Sequence, residues 1–99
     1  MTQKLLILPE AIEDLAEGRR WCEERAVGLG DRFLFQAEDC IRRIQLFPDL
    51  YEQVYKTYRR AIVRRFPFVV FYEHSTDGII ICAVFHTAQD PKNWRKRLR

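Results

Sequence analysis

Three sets of side chains in this sequence could do chemistry or hold a charged partner. The largest is cationic: Lys56, Arg59, Arg60, Arg64 and Arg65, then Lys92, Arg95, Lys96, Arg97 and Arg99 near the end of the chain. Residues 1–55 carry seven Lys/Arg against eleven Asp/Glu, net −4, and residues 56–99 carry ten against three, net +7. Such asymmetry asks for an acidic partner for the second half, either nucleic acid or an acidic protein segment. The second set is His86, the one plausible acid–base side chain, although a lone histidine at a strand end is more often structural. The third is Cys22, Cys40 and Cys82, odd in number, widely spaced and without a CxxC pair. They suggest neither a zinc site nor a redox motif. Among apolar neighbours they read as buried thiols, which pack like small hydrophobes. No metal and no cofactor is expected.

These groups must be positioned by elements that the pattern reveals. Lys4–Leu8 reads as a short strand bounded by Pro9. Proline then fits the first turn of a helix, and Glu10, Glu13 and Asp14 suit a helix N-terminus, so a helix is expected from Pro9 to Arg25. Gly28-Leu29-Gly30 breaks it, and Asp31 is the expected cap of the next helix. Phe33, Ala37, Cys40, Ile41, Ile44 and Phe47 make an apolar stripe of helical period, ended by Pro48. The two helices form an antiparallel hairpin.

After Pro48 the texture turns to β. Ala61–Phe66 is expected to pair, across Pro67, with Phe68–Glu73, which forms a hairpin with Ile79–His86 through the turn at Ser75–Gly78. One or two helical turns follow Pro91. The order β-α-α-β-β-β predicts an α+β layer architecture, a helical hairpin on one face of a largely antiparallel three-to-four-stranded sheet. Read as strand residues, Arg64 and Arg65 face opposite sides. One should then meet Glu13, Glu17 or Glu38 beside the helices, and the other should lie on an open sheet face. Trp94 suits an interface anchor or packs the tail onto the sheet.

Length and composition set the limits. Ninety-nine residues make one domain, here residues 1–99. The apolar run Leu5–Leu8 is too short for a signal-peptide core or a membrane span. A soluble, cytoplasmic protein is therefore expected.

The ordered set of local patterns resembles the RelE/ParE toxin superfamily. LPEAIEDLAEGRRWCEERAVGLGDRFLFQAEDCIRRIQLFPDLY resembles the family's acidic first helix, Gly-Leu-Gly turn and second helix opening on Arg-Phe. YRRAIVRRFPFVVFYE resembles its Arg-rich strand running into Phe-Pro, and AVFHTAQDPKNWRKR its closing strand, His, Asp-Pro and Trp. The resemblance implies the toxin of a type II toxin–antitoxin (plasmid stabilisation) system. Its implied partner is a ParD-like antitoxin whose disordered tail orders on binding.

Two activities occur in this superfamily. RelE-type members cut ribosome-bound mRNA, which needs a general acid or base near the phosphate and cations for the developing charge. ParE-type members trap DNA gyrase without bond-breaking chemistry of their own. Here no Tyr follows Tyr72, and Gln89 stands where an Arg is common, so a gyrase poison is the expected activity and a RelE-type mRNA endonuclease the alternative. A basic RNA-binding module ranks last, because exposed aromatic-in-strand motifs are lacking, and direct nucleic-acid binding is not expected to be primary. No catalytic residue is expected, His86 serving only if the chain is an RNase. The expected target- or antitoxin-binding residues are Arg59, Arg60, Arg64, Arg65, His86, Trp94, Arg95, Lys96 and Arg97, spread over the open sheet face and the tail.

Overall fold

Pro9 opens helix α1 (Pro9–Arg25), as its missing N–H and fixed φ favour. The computed structural model describes residues 4–98. Strand β1 (Leu5–Ile7) precedes α1, and α2 (Leu29–Leu46), β2 (Glu52–Tyr55), β3 (Tyr58–Ile62), β4 (Phe68–Ser75), β5 (Gly78–His86) and α3 (Pro91–Arg97) follow. The strands form one sheet in the order β1-β5-β4-β3-β2. β1 runs parallel to β5 and every other pair is antiparallel. The α+β architecture and the helical hairpin are as expected, with β2 as a fifth strand that the sequence pattern did not separate from its neighbours.

The turn between the helices depends on Gly28, whose φ of 87° is the left-handed value that glycine adopts without a Cβ clash. α2 therefore begins earlier than expected, and Asp31 is not its cap. Glu23 does that work, its carboxylate accepting the N–H groups of Gly28 and Gly30 at 3.0 Å. Asp31 instead pairs with Arg19 at 2.7 Å. Gly18 lets the helices close, since a Cβ there would lie 2.7 Å from the Phe33 ring.

The third strand differs from expectation. β3 ends at Ile62, and residues 63–67 form a tight turn in which the Val63 N–H donates to Phe68 O and the Phe66 N–H to Val63 O. Arg65 takes a φ of 66° there. Pro67 cannot donate to a ladder, so the chain reverses before it. Arg64 and Arg65 thus sit on a turn, and the strand alternation that would have sent them to opposite faces does not apply. Neither reaches a carboxylate among the described residues, so the expected pairing with Glu13, Glu17 or Glu38 is not formed.

Both faces of the sheet are apolar. Phe68, Val70, Tyr72, Ile79, Ile81 and Val84 meet the hairpin through Phe33, Ala37, Cys40, Ile41 and Ile44. Val69, Phe71, Cys82, Ala83 and Phe85 form a second buried cluster, closed by Leu98 and flanked by Trp94. The expected open face is therefore roofed by α3. A β-bulge makes this possible: register slips opposite Phe71/Tyr72, with Cys82 left over between Ile81 and Ala83. Cys82 and Ala83 consequently share one cluster, and alternation resumes with Val84 on the hairpin side.

Beyond the bulge, the Val84 N–H donates to Asp14 Oδ2 of α1 at 2.9 Å. The same oxygen accepts from Arg97 Nη2 of α3 at 2.7 Å, with Arg97 Nη1 on Oδ1 at 3.3 Å. The Asp14 side chain is only 11% exposed and that of Arg97 30%. Removing the nearly buried carboxylate leaves the part-exposed Arg97 without its partner and strands a backbone donor. Asp14→Ala is expected to lower unfolding free energy by about 3 kcal/mol, and Asp14→Asn by less, since its amide oxygen still accepts from Val84. Urea unfolding of the three proteins checks this, and an alanine variant as stable as the parent would contradict it.

Candidate partner-binding surface

The turn at residues 63–67 joins two hollows, each of about 700 Å³, that share Arg65, Phe66 and Pro67. One runs toward α1 and α2 over Trp21, Leu29 and Phe35. The other runs along the end of β3 over Leu50, Ile62 and Val63. β2 pairs with β3 only as far as Glu52↔Arg60, so Ile62 lies beyond its cover. Together they form a groove with an apolar floor in which large side chains are open to solvent: Phe35 is 64% exposed, Ile62 66% and Leu50 72%. Contiguous exposed apolar surface rimmed by polar groups marks an interaction site.

The rim is cationic. Arg32, Arg43, Arg60, Arg64 and Arg65 line the groove. Arg43 is paired with Asp39 at 2.8 Å and Arg60 with the exposed Glu52 at 3.3 Å. Arg32, Arg64 and Arg65 are exposed and reach no carboxylate among the described residues. Of the residues singled out in the sequence, Arg60, Arg64 and Arg65 are the ones the fold gathers here.

The others are dispersed. Arg59 is turned to the protein, donating to Tyr51 O at 2.6 Å and lying 3.8 Å from the Asp49 carboxylate, where it braces the loop after α2. Arg97 is held by Asp14. Trp94 stacks on Phe71 at 5.0 Å between centroids, so it fastens α3 to the sheet. Arg95 and Lys96 are on the exposed side of α3.

His86 lies on the hairpin side of β5, with its ring 4.8 Å from Trp21 and 5.2 Å from Phe68. Its Nδ1 accepts the Ala88 N–H at 3.0 Å. That bond assigns the tautomer, because an acceptor Nδ1 leaves the ring proton on Nε2.

The groove's apolar floor does not stand out in the sequence. Phe35 offered a signal, since it stands two positions past Phe33 and off the stripe 33/37/40/41/44. Ile62 and Leu50 offered none, because their exposure follows from where β2 and β3 stop. Among the described residues no group of three or more His, Cys, Asp or Glu side chains is placed to hold a metal ion.

Comparison with known proteins agrees with this fold. The family model for the ParE toxin of type II toxin–antitoxin systems, parDE, matches residues 5–91. A solved structure described as a chromosomal ParDE TA system from P. aeruginosa contains a chain that superposes with a TM-score of 0.73 at 13% identity, covering 86% of this chain and 96% of that one. At that identity the likeness bears on fold alone. No curated protein matches.

The three cysteines are free and buried, Cys22 beneath the hollow that runs toward α1 and α2. Burial pushes the Cys40 and Cys82 thiols from an ordinary 9.0 up to about 11, raises Cys22 as well, and pushes the Tyr72 hydroxyl, which donates to Pro48 O at 2.5 Å, to about 12. These folded values exceed the unfolded ones, so the native state keeps protons that the unfolded chain releases. Stability is expected to be complete below about pH 9 and to fall as pH rises toward about 11 and beyond. Denaturant unfolding across that range checks the sign. A thiol reagent at pH 8 should label Cys40 and Cys82 only after unfolding, and rapid labelling of the native protein would contradict the assignment.

Proposed function

Because the chain belongs to the ParE toxins of type II toxin–antitoxin systems, we propose that it poisons DNA gyrase and is held inactive by a ParD-like antitoxin seated in the groove across the turn at residues 63–67. The observation that carries the antitoxin's place is the groove itself, an exposed apolar floor beneath arginines that lack carboxylate partners. An extended segment with alternating apolar and acidic residues suits it on both counts. Apolar side chains supply most of the affinity, and acidic ones steer the encounter and set its specificity. A segment that is disordered when free and orders on binding can cover such a long surface. The match to the ParE toxin model of parDE toxin–antitoxin systems supports an antitoxin as the partner.

Gyrase rests on the resemblance to ParE-type members and on the want of acid–base equipment for RNA cleavage. His86 has its Nδ1 engaged by Ala88, and Gln89 is neutral where a phosphate would need a cation. Among the described residues no helix is long and apolar enough to cross a membrane, and both proposed partners are cytoplasmic.

Expression of the toxin alone is expected to produce a DNA-damage response with filamentation, and the purified protein to accumulate gyrase-cleaved DNA. Rapid cleavage of ribosome-bound mRNA instead would overturn the gyrase reading. His86→Ala should leave toxicity per folded molecule within about twofold, whereas loss of a general acid or base would cost roughly a hundredfold or more. The double variant Arg64→Glu, Arg65→Glu should fold normally and bind antitoxin at least about tenfold more weakly, about 1.4 kcal/mol, mainly through a slower, less salt-sensitive association. Unchanged affinity would move the antitoxin off this groove.

A further inference from the structure

The outer side of α3 carries cations for which the groove has no use. Lys92, Arg95 and Lys96 stand at i, i+3 and i+4, hence on one helical face, and all are exposed. Lys56, in the β2–β3 turn, stands at the edge of α3 where Trp94 meets the sheet: its ammonium lies 5.2 Å from the Tyr55 ring, and that ring meets Trp94 edge-on at 6.0 Å. None of the four is within ion-pair distance of a carboxylate among the described residues. The acidic groups nearby are otherwise engaged: Asp90 accepts the Lys92 N–H at 2.9 Å, and Glu73 accepts from Thr57 at 2.6 Å. Arg97 is the α3 cation that turns inward, to Asp14.

The aromatic rings in this patch are already occupied. Trp94 stacks on Phe71 and has the Arg95 guanidinium 5.3 Å from its centroid. Tyr55 lies between Trp94 and Lys56. Single-strand binders need open rings on which unpaired bases stack, and protein interfaces need open apolar anchors. This face offers neither, unlike the groove. It offers unpaired positive charge on a helix fastened to the sheet, which is what backbone phosphates require.

We infer that the α3 face formed by Lys92, Arg95 and Lys96, with Lys56 beside the helix, binds the phosphate backbone of duplex DNA without reading its sequence. The choice of DNA over RNA rests on the gyrase reading, since gyrase holds DNA. The site would let the toxin touch the nucleic acid as well as the enzyme. The three α3 cations of this face lie past Pro91, where the family match ends.

Fluorescence anisotropy of a short labelled DNA duplex with the antitoxin-free protein tests this without gyrase. With three or four phosphate contacts, affinity should fall roughly a hundredfold between about 50 and 200 mM salt. The triple variant Lys92→Gln, Arg95→Gln, Lys96→Gln should bind far more weakly and lose about one from the salt slope per cation removed. Arg64→Gln with Arg65→Gln, on the groove, should bind DNA as the parent does. Failure to bind the duplex, tighter binding to a single strand or to an RNA duplex, or an unchanged slope in the triple variant would each overturn the inference. A gyrase-cleavage assay on the parent protein separates the two readings. Salt-dependent duplex binding without gyrase poisoning removes the target and leaves the site, while poisoning without duplex binding does the reverse.

Discussion

Asp14 satisfies a backbone amide that no strand reaches, and much of the tertiary arrangement follows from that. β1 ends at Ile7, opposite Ile81, so β5 runs on without a strand partner on that side. The bulge at Cys82 then shifts the strand's alternation by one residue. The Val84 N–H needs an acceptor, and α1 supplies the Asp14 carboxylate. A carboxylate so little exposed needs a cation in turn, and Arg97 provides it from the far end of the chain. α3 has seven residues, too few to be a stable helix in isolation. It is helical here because Arg97, Leu98 and Trp94 each fasten it to the sheet.

The consequence is a sheet buried on both sides. A five-stranded sheet with one hairpin would leave Val69, Phe71, Ala83 and Phe85 facing water. α3 covers them, and its amphipathic character sorts the terminal cations: Arg97 inward, Lys92, Arg95 and Lys96 outward. The tail is therefore a structural element and a charged surface at once. For this reason its removal would uncover an apolar face, and charge-neutralising substitutions separate its two roles where truncation cannot.

At the other end of the molecule the constraint is Pro67. A proline next to a strand cannot extend the ladder, so β3 stops at Ile62 and the chain turns tightly. That turn lifts Arg64 and Arg65 clear of the sheet and leaves the end of β3 without cover from β2. Exposed apolar floor and unpaired arginines arise together from one local event. The protein thus presents two surfaces of different chemistry, a groove with apolar anchors and a helix face with charge alone.

Much of the fold was legible along the chain because it depends on local periodicity and punctuation. The apolar stripe from Phe33 to Ile44, the bounds of α1 at Pro9 and Arg25, the turn before Gly78 and the alternating strands on either side of it are properties of neighbouring residues. The uneven charge, net −4 then +7, was likewise there to be counted. Which cations are free was not, because that depends on contacts between residues far apart. Arg97 is neutralised by a residue 83 positions away, Arg59 by the loop after α2, and Arg64 and Arg65 are released by a turn that ends their strand early. The sequence by itself determined the elements, their order and the basic character of the second half. Only the tertiary structure decided which charges are paired inside and which remain for a partner, since pairing is set by distance in space and by burial, neither of which a one-dimensional pattern contains.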